Sequence, residues 1–195
     1  MKLKRYRVTI FSAVLAVMFG VYTYSENTGI KKDIKAQYLK GGDFSLFHKG
    51  EKFNLSDLKG HPVILYFGYT HCPDVCPVGL TVIRDALNSH PELKEVKALF
   101  VTLDPERDDG QTLSMYTQFF HKNILGLTGS LKEIKGVAGH YGTYFRKSPD
   151  SNESDNYSIE HTAYFYVINK EGVLMRVMDH DTNAKDLSEI VMKML

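Results

Sequence analysis

Residues 62–77, PVILYFGYTHCPDVCP, decide how the rest of the chain is read. Positions 62–69 form a nearly unbroken apolar run, as expected of a strand buried on both faces of a sheet. Positions 78–87 (VGLTVIRDAL) place apolar residues at helical spacing. Between them lie both cysteines of the chain, Cys72 and Cys76. A helix that opens between Pro73 and Pro77 leaves Cys72 in the lead-in loop and Cys76 in the first turn. The positive end of that helix and its unpaired N–H groups favour thiolates, so one or both thiols should ionise readily. A four-residue separation brings the two backbones within about 6 Å. That distance suits a disulfide. It equally suits two sulfurs on one soft ion, copper(I) or zinc. Spacing leaves both chemistries open.

Working outward, residues 44–47 (FSLF) and 53–55 read as a short hairpin across a turn at 48–52. After the cysteine helix, residues 96–103 (VKALFVTL) form the next buried strand and 111–120 a helix. Residues 124–128 form a strand. Ser130 with Glu133 makes a capping box for a helix reaching about Tyr141. Residues 148–156 are a polar loop. Residues 163–168 and 173–178 form a tightly connected strand pair, and Thr182 or Asn183 caps a last helix. Strands alternating with helices demand crossovers and a partly parallel sheet, while the closing pair must be antiparallel. This order predicts an α/β, thioredoxin-like fold: a central mixed sheet flanked by helices, with an N-terminal hairpin. In open α/β sheets the working crevice lies at the carboxyl ends of the strands. The cysteines sit there.

The chain has 195 residues, 43% of them hydrophobic, enough for one domain with a real core and no disulfide staples. Its 24 basic and 23 acidic residues leave a net charge of +1, which excludes the strong basic excess of nucleic-acid binders. The N-terminus differs. Lys2, Lys4, Arg5 and Arg7 precede an uncharged apolar run at 8–24, about long enough to span a bilayer. The expected organisation is a membrane anchor at 1–24, a lysine-rich tether at 25–40 and the folded domain at 41–195. The basic flank keeps the N-terminus cytoplasmic. The expected location is therefore the bacterial cytoplasmic membrane, single-pass, with the domain in the oxidising periplasm. Residues 21–25 (VYTYS) lack the small-residue pattern of a cleavage site.

A metal on two thiolates needs a further ligand, and imidazole is the usual one. His48, His61, His90, His121 and His180 fall in turns or at element ends and read as surface residues; His140 falls on a helix. His71 adjoins Cys72, but neighbours in an extended segment point apart, so it is better placed to tune the thiols than to ligate. His161 differs. It precedes the strand at 163–168, and in a thioredoxin-like fold that loop faces the dithiol. It can complete a Cys-Cys-His site.

Three segments resemble the motifs of the Sco/SenC copper-delivery family: 68–77 (GYTHCPDVCP), 101–108 (VTLDPERD) and 160–163 (EHTA). The resemblance covers roughly residues 40–180, in the family's order. It implies copper, as Cu(I) or Cu(II), bound by Cys72, Cys76 and His161. It also implies delivery to the dinuclear copper site of the copper-binding subunit of cytochrome c oxidase. Other copper carriers or thiol reductants are implied as further partners. Asp104 matches an acidic position of the family, beside or behind the metal. Asp74 is expected to cap the cysteine helix. The competing reading is a periplasmic thiol–disulfide oxidoreductase. Against it, three residues separate the cysteines where thioredoxin motifs have two, and the chain has no tryptophan. A thiol peroxidase is disfavoured further, because Tyr69 stands three residues before Cys72 where that pattern places a threonine.

Overall fold

The computed structural model describes residues 34–148 and 157–195. The expected anchor at 1–24, most of the tether, and the loop at 149–156 lie outside the described residues. Among the described residues no helix is long and apolar enough to cross a membrane.

The central strand β3 (Val63–Gly68) is buried at every position, as its unbroken apolar run demands. It pairs in parallel with β4 (Lys97–Thr102), which pairs in parallel with β5 (Ile124–Leu127). On its other side β3 meets β8 (Tyr164–Ile168) antiparallel, and β8 meets β9 (Leu174–Asp179) antiparallel. The sheet order is β5-β4-β3-β8-β9. This is the mixed thioredoxin-like sheet expected from the element order.

Alternation along β3 divides the core. Tyr66 stacks with its register partners Phe100 and Phe165, at ring centroids of 6.4 and 5.0 Å. That face is covered by α2 (Val75–Ser89) and by α3 (Gly110–Phe120), whose Tyr116 packs 5.8 Å from Phe100. The helix α5 (Ala184–Met192) packs on α2. Phe67 points the other way, to Tyr141 and Tyr166 at 6.2 and 5.7 Å. Tyr141 is the C-cap of α4 (Leu131–His140). Ser130 and Glu133 make the expected capping box, and Asn183 rather than Thr182 caps α5 through Asp186 N–H.

The N-terminal hairpin is β1 (Ser45–His48) with β2 (Glu51–Asn54). It is joined to the end of β5 by paired hydrogen bonds between Phe47 and Thr128, at 2.8 and 2.9 Å. Part of the expected tether is folded: α1 (Ile34–Tyr38) packs against β9, with Ala36 fully buried and Lys35 bound to Asp179 at 2.7 Å. Its lysine and glutamine read as solvated linker, and one buried alanine is too small a signal to show docking. A second hairpin also went unseen in the sequence. It pairs β6 (Phe145–Lys147) with β7 (Ile159–His161), two strands too short for a periodicity to register.

Candidate metal centre

The sheet register brings the site together. β3 ends at Gly68, opposite Thr102 at the end of β4. β8 runs antiparallel with Phe165 opposite Tyr66, so the segment preceding β8 arrives where β3 ends. That segment carries β7 and His161. Cys72, Cys76 and His161 converge, with one donor atom from each lying within 4.8 Å of the others. Cys76 Sγ stands 3.6 Å from His161 Nε2. The His161 Nδ1–H donates to the Thr162 carbonyl at 3.2 Å, which leaves the Nε2 lone pair facing the sulfurs.

Close packing fixes Cys76. A Cβ on Gly68 would fall 2.7 Å from Cys76 Sγ, and one on Gly79 would fall 2.5 Å from the Tyr66 hydroxyl. Both glycines let α2 lie directly on β3. The Tyr66 hydroxyl donates to the Val75 carbonyl at 3.2 Å and pins the first turn. Cys76 is fully buried, whereas Cys72 keeps 9% exposure.

Asp74 occupies the N-cap position but its side chain makes no capping bond, contrary to expectation. Its backbone is outside the extended region that caps adopt, at φ −138° and ψ −82°. The third helical residue is Pro77, which has no N–H to offer. The backbone N–H groups of Asp74 and Cys76 instead face Cys72 sulfur. This sets the ionisation order. The hydrogen bond from Cys76, with the backbone N–H groups of Asp74 and Cys76, holds the Cys72 thiol well below its ordinary value against the opposing effect of burial. Sharing that hydrogen bond, with burial and the Cys72 charge, pushes Cys76 up. Cys72 is therefore the first of the pair to ionise.

A group with a depressed pKa stays charged as pH falls toward that value. In the reduced, metal-free chain, iodoacetamide is thus expected to label Cys72 almost as fast at pH 6 as at pH 8. An ordinary thiol would slow about a hundredfold over that range. Mass mapping of the labelled peptides decides; a hundredfold slowing at Cys72 contradicts the assignment.

Asp104 and His71 are close by but not in the cluster. Asp104 is 1% exposed. One carboxylate oxygen accepts from the Tyr157 hydroxyl at 2.6 Å and the other from Arg107 Nε. His71 is half-exposed, with Nδ1 3.1 Å from Thr70 Oγ1 and 3.9 Å from Asp108. Sequence reasoning missed Asp108. It is fully buried and accepts from Thr70 N–H at 3.0 Å, from the Thr70 hydroxyl, and from the Thr102 hydroxyl at 2.7 Å. It joins the cysteine loop to the end of β4. No local pattern marks it, because Thr70 lies 38 positions away and Thr102 belongs to the end of β4.

A thioredoxin-like domain with a Cys-Cys-His group at its strand ends, Cys76 fully buried, defines the class. A profile of the SCO1/SenC family matches residues 32–195, and the chain belongs to that family. An SCO2-like protein of Rickettsia prowazekii is 31% identical over 193 residues, 94% of each chain. The mitochondrial SCO2 homolog of Homo sapiens is 37% identical over 155 residues, 77% of this chain. This chain spans between 55% and 60% of the SCO2 homologs of Danio rerio, Mus musculus and Homo sapiens. Arabidopsis thaliana ScoI with copper bound superposes with a TM-score of 0.72 at 33% identity, covering 79% of this chain and 97% of that one. Yeast Sco1 with copper bound gives 0.71 at 32% identity, covering 78% and 86%.

Proposed function

We propose that this chain is a membrane-tethered copper chaperone. It binds Cu(I) or Cu(II) through Cys72, Cys76 and His161 and passes the ion to the dinuclear copper site of cytochrome c oxidase during assembly. The observation that carries this reading is the convergence of two sulfurs and one imidazole nitrogen within 4.8 Å. Two soft thiolates suit Cu(I), and the added imidazole suits Cu(II). The copper-bound relatives support the same ion. Thiolate and neutral imidazole ligands must shed their protons to load, so binding weakens as pH falls. Asp104 and His71 lie outside the ligand set. Asp104 holds Tyr157, two residues before β7, in place. In this reading the run at 8–24 anchors the chain in the bacterial cytoplasmic membrane with the domain in the periplasm.

A thiol–disulfide oxidoreductase is the second reading, favoured by a stabilised thiolate on the more open cysteine. Cys72 would attack a client disulfide, form a mixed disulfide and expel one client thiolate. Cys76, losing its proton, would then attack Cys72 sulfur and release the second client thiolate. The Cys72–Cys76 disulfide remains and the client is reduced by two electrons.

One anaerobic experiment separates the two. The full chain, in mild detergent and loaded with Cu(I), is mixed with the reduced copper-binding domain of the oxidase subunit. The chaperone reading predicts that copper moves to that domain. If copper stays while the domain takes up free Cu(I), the chaperone reading fails. Stoichiometric reduction of the oxidised domain by the metal-free chain supports the second reading.

A further inference from the structure

The third ligand sits on a poorly supported element. β7 has three residues and, among the described residues, pairs only with β6, in a two-stranded sheet apart from the central one. Something other than the main sheet must keep His161 against the sulfurs. Tyr69, one residue past β3 and 2% exposed, is in position to do so. Its backbone N–H faces Cys76 sulfur and its carbonyl accepts the Cys72 N–H at 3.3 Å. Its ring stands edge-on to the His161 imidazole, 6.0 Å between centroids at 81°. Its hydroxyl accepts the Ile159 N–H at 3.2 Å, two residues before His161 on the same strand. The Tyr69 ring is itself backed by the Arg107 guanidinium at 6.0 Å, which lies 3.6 Å over Tyr157.

We infer that Tyr69 is a positioning residue: its hydroxyl ties β7 to the cysteine loop and thereby sets His161 on the two sulfurs. The inference rests on the three-ligand copper reading. It makes one oxygen atom a control on oxidation-state preference. Cu(II) depends on the imidazole, whereas Cu(I) is held chiefly by the thiolates. Groups that orient a metal ligand change affinity by about 10- to 100-fold.

The test is Tyr69→Phe in the full chain, which removes the hydroxyl and keeps the ring. Cu(II) affinity is expected to fall about tenfold, with altered nitrogen coupling in the electron paramagnetic resonance spectrum. Cu(I) affinity, read by chelator competition, should change less than about twofold. Tyr166→Phe, which removes a buried hydroxyl bonded to Thr143 at 2.8 Å, should leave both unchanged. Because Tyr69 acts through His161, the Tyr69→Phe/His161→Ala double variant should bind Cu(II) no more weakly than His161→Ala alone. Parental Cu(II) affinity and spectrum in Tyr69→Phe, with His161→Ala weakened, overturn the inference and leave the copper reading intact. Equal losses for both oxidation states, or additive losses in the double variant, also overturn it. A His161→Ala chain that binds Cu(II) as the parent does overturns the three-ligand reading and this inference with it.

Discussion

Asp108→Ala is expected to destabilise the domain by about 3 kcal/mol, lowering its melting temperature by about 10 °C. The carboxyl is fully buried and serves three donors: Thr70 N–H, the Thr70 hydroxyl and the Thr102 hydroxyl. Truncation leaves the part-buried Thr70 N–H without its acceptor; an orphaned buried donor costs about 1–3 kcal/mol. The two hydroxyls lose their acceptor as well, but they can rotate, so their share is smaller. The damage falls on the loop that delivers Cys72, because Thr70 is two residues before it. Asp108→Asn keeps one acceptor oxygen and should cost less than the alanine variant. Asp109→Ala supplies the comparison. Its exposed side chain caps α3 through Thr112 N–H at 2.7 Å, and its loss should cost less than that of Asp108. Denaturant melts of the three variants are the check. A loss under about 1 kcal/mol in Asp108→Ala would mean that this network does not hold the cysteine loop.

Those strands and helices whose burial repeats along the chain were legible in the sequence. β3 showed as an unbroken apolar run and α2 as an apolar stripe. The Ser130–Glu133 box marked a helix start to the residue. The cysteines showed through spacing, and His161 only once the fold had been assigned. What stayed hidden depends on partners distant in sequence. Asp104 reads as an acidic residue free to approach a metal until Tyr157, 53 positions on, and Arg107 are seen to occupy both its oxygens. His48, read as a surface turn residue, is half-buried and donates from Nδ1 to the Gly126 carbonyl at 2.9 Å. His121 is likewise half-buried; its Nδ1 accepts from Asn123 N–H at 3.1 Å, and burial with nearby Lys122 and Lys97 holds its pKa below the ordinary histidine value. Asp74 is a cap by residue type, yet Pro77 and the Cys72 sulfur remove the donors it would have taken. In that one turn, local preference yields to the thiolate.

Removing any of the three proposed ligands should have the largest effect on the metal. Cys72→Ala or Cys76→Ala leaves one sulfur, and Cu(I) affinity should fall well beyond the roughly 100-fold associated with changes around a ligand. His161→Ala keeps both sulfurs, so Cu(I) should be retained while Cu(II) is lost preferentially. The Cys76→Ala chain should also remain folded, because the cavity left by one small buried side chain costs only a few kcal/mol. Loss of copper without loss of the fold would then be attributable to the ligand itself. The most direct measurement is an anaerobic Cu(II) titration of the reduced full chain and its His161→Ala variant, read in the thiolate-to-copper charge-transfer band. The account predicts a band that saturates at one copper per parent chain and is weakened by more than about 100-fold in affinity in the variant. Equal titrations of the two proteins would contradict it.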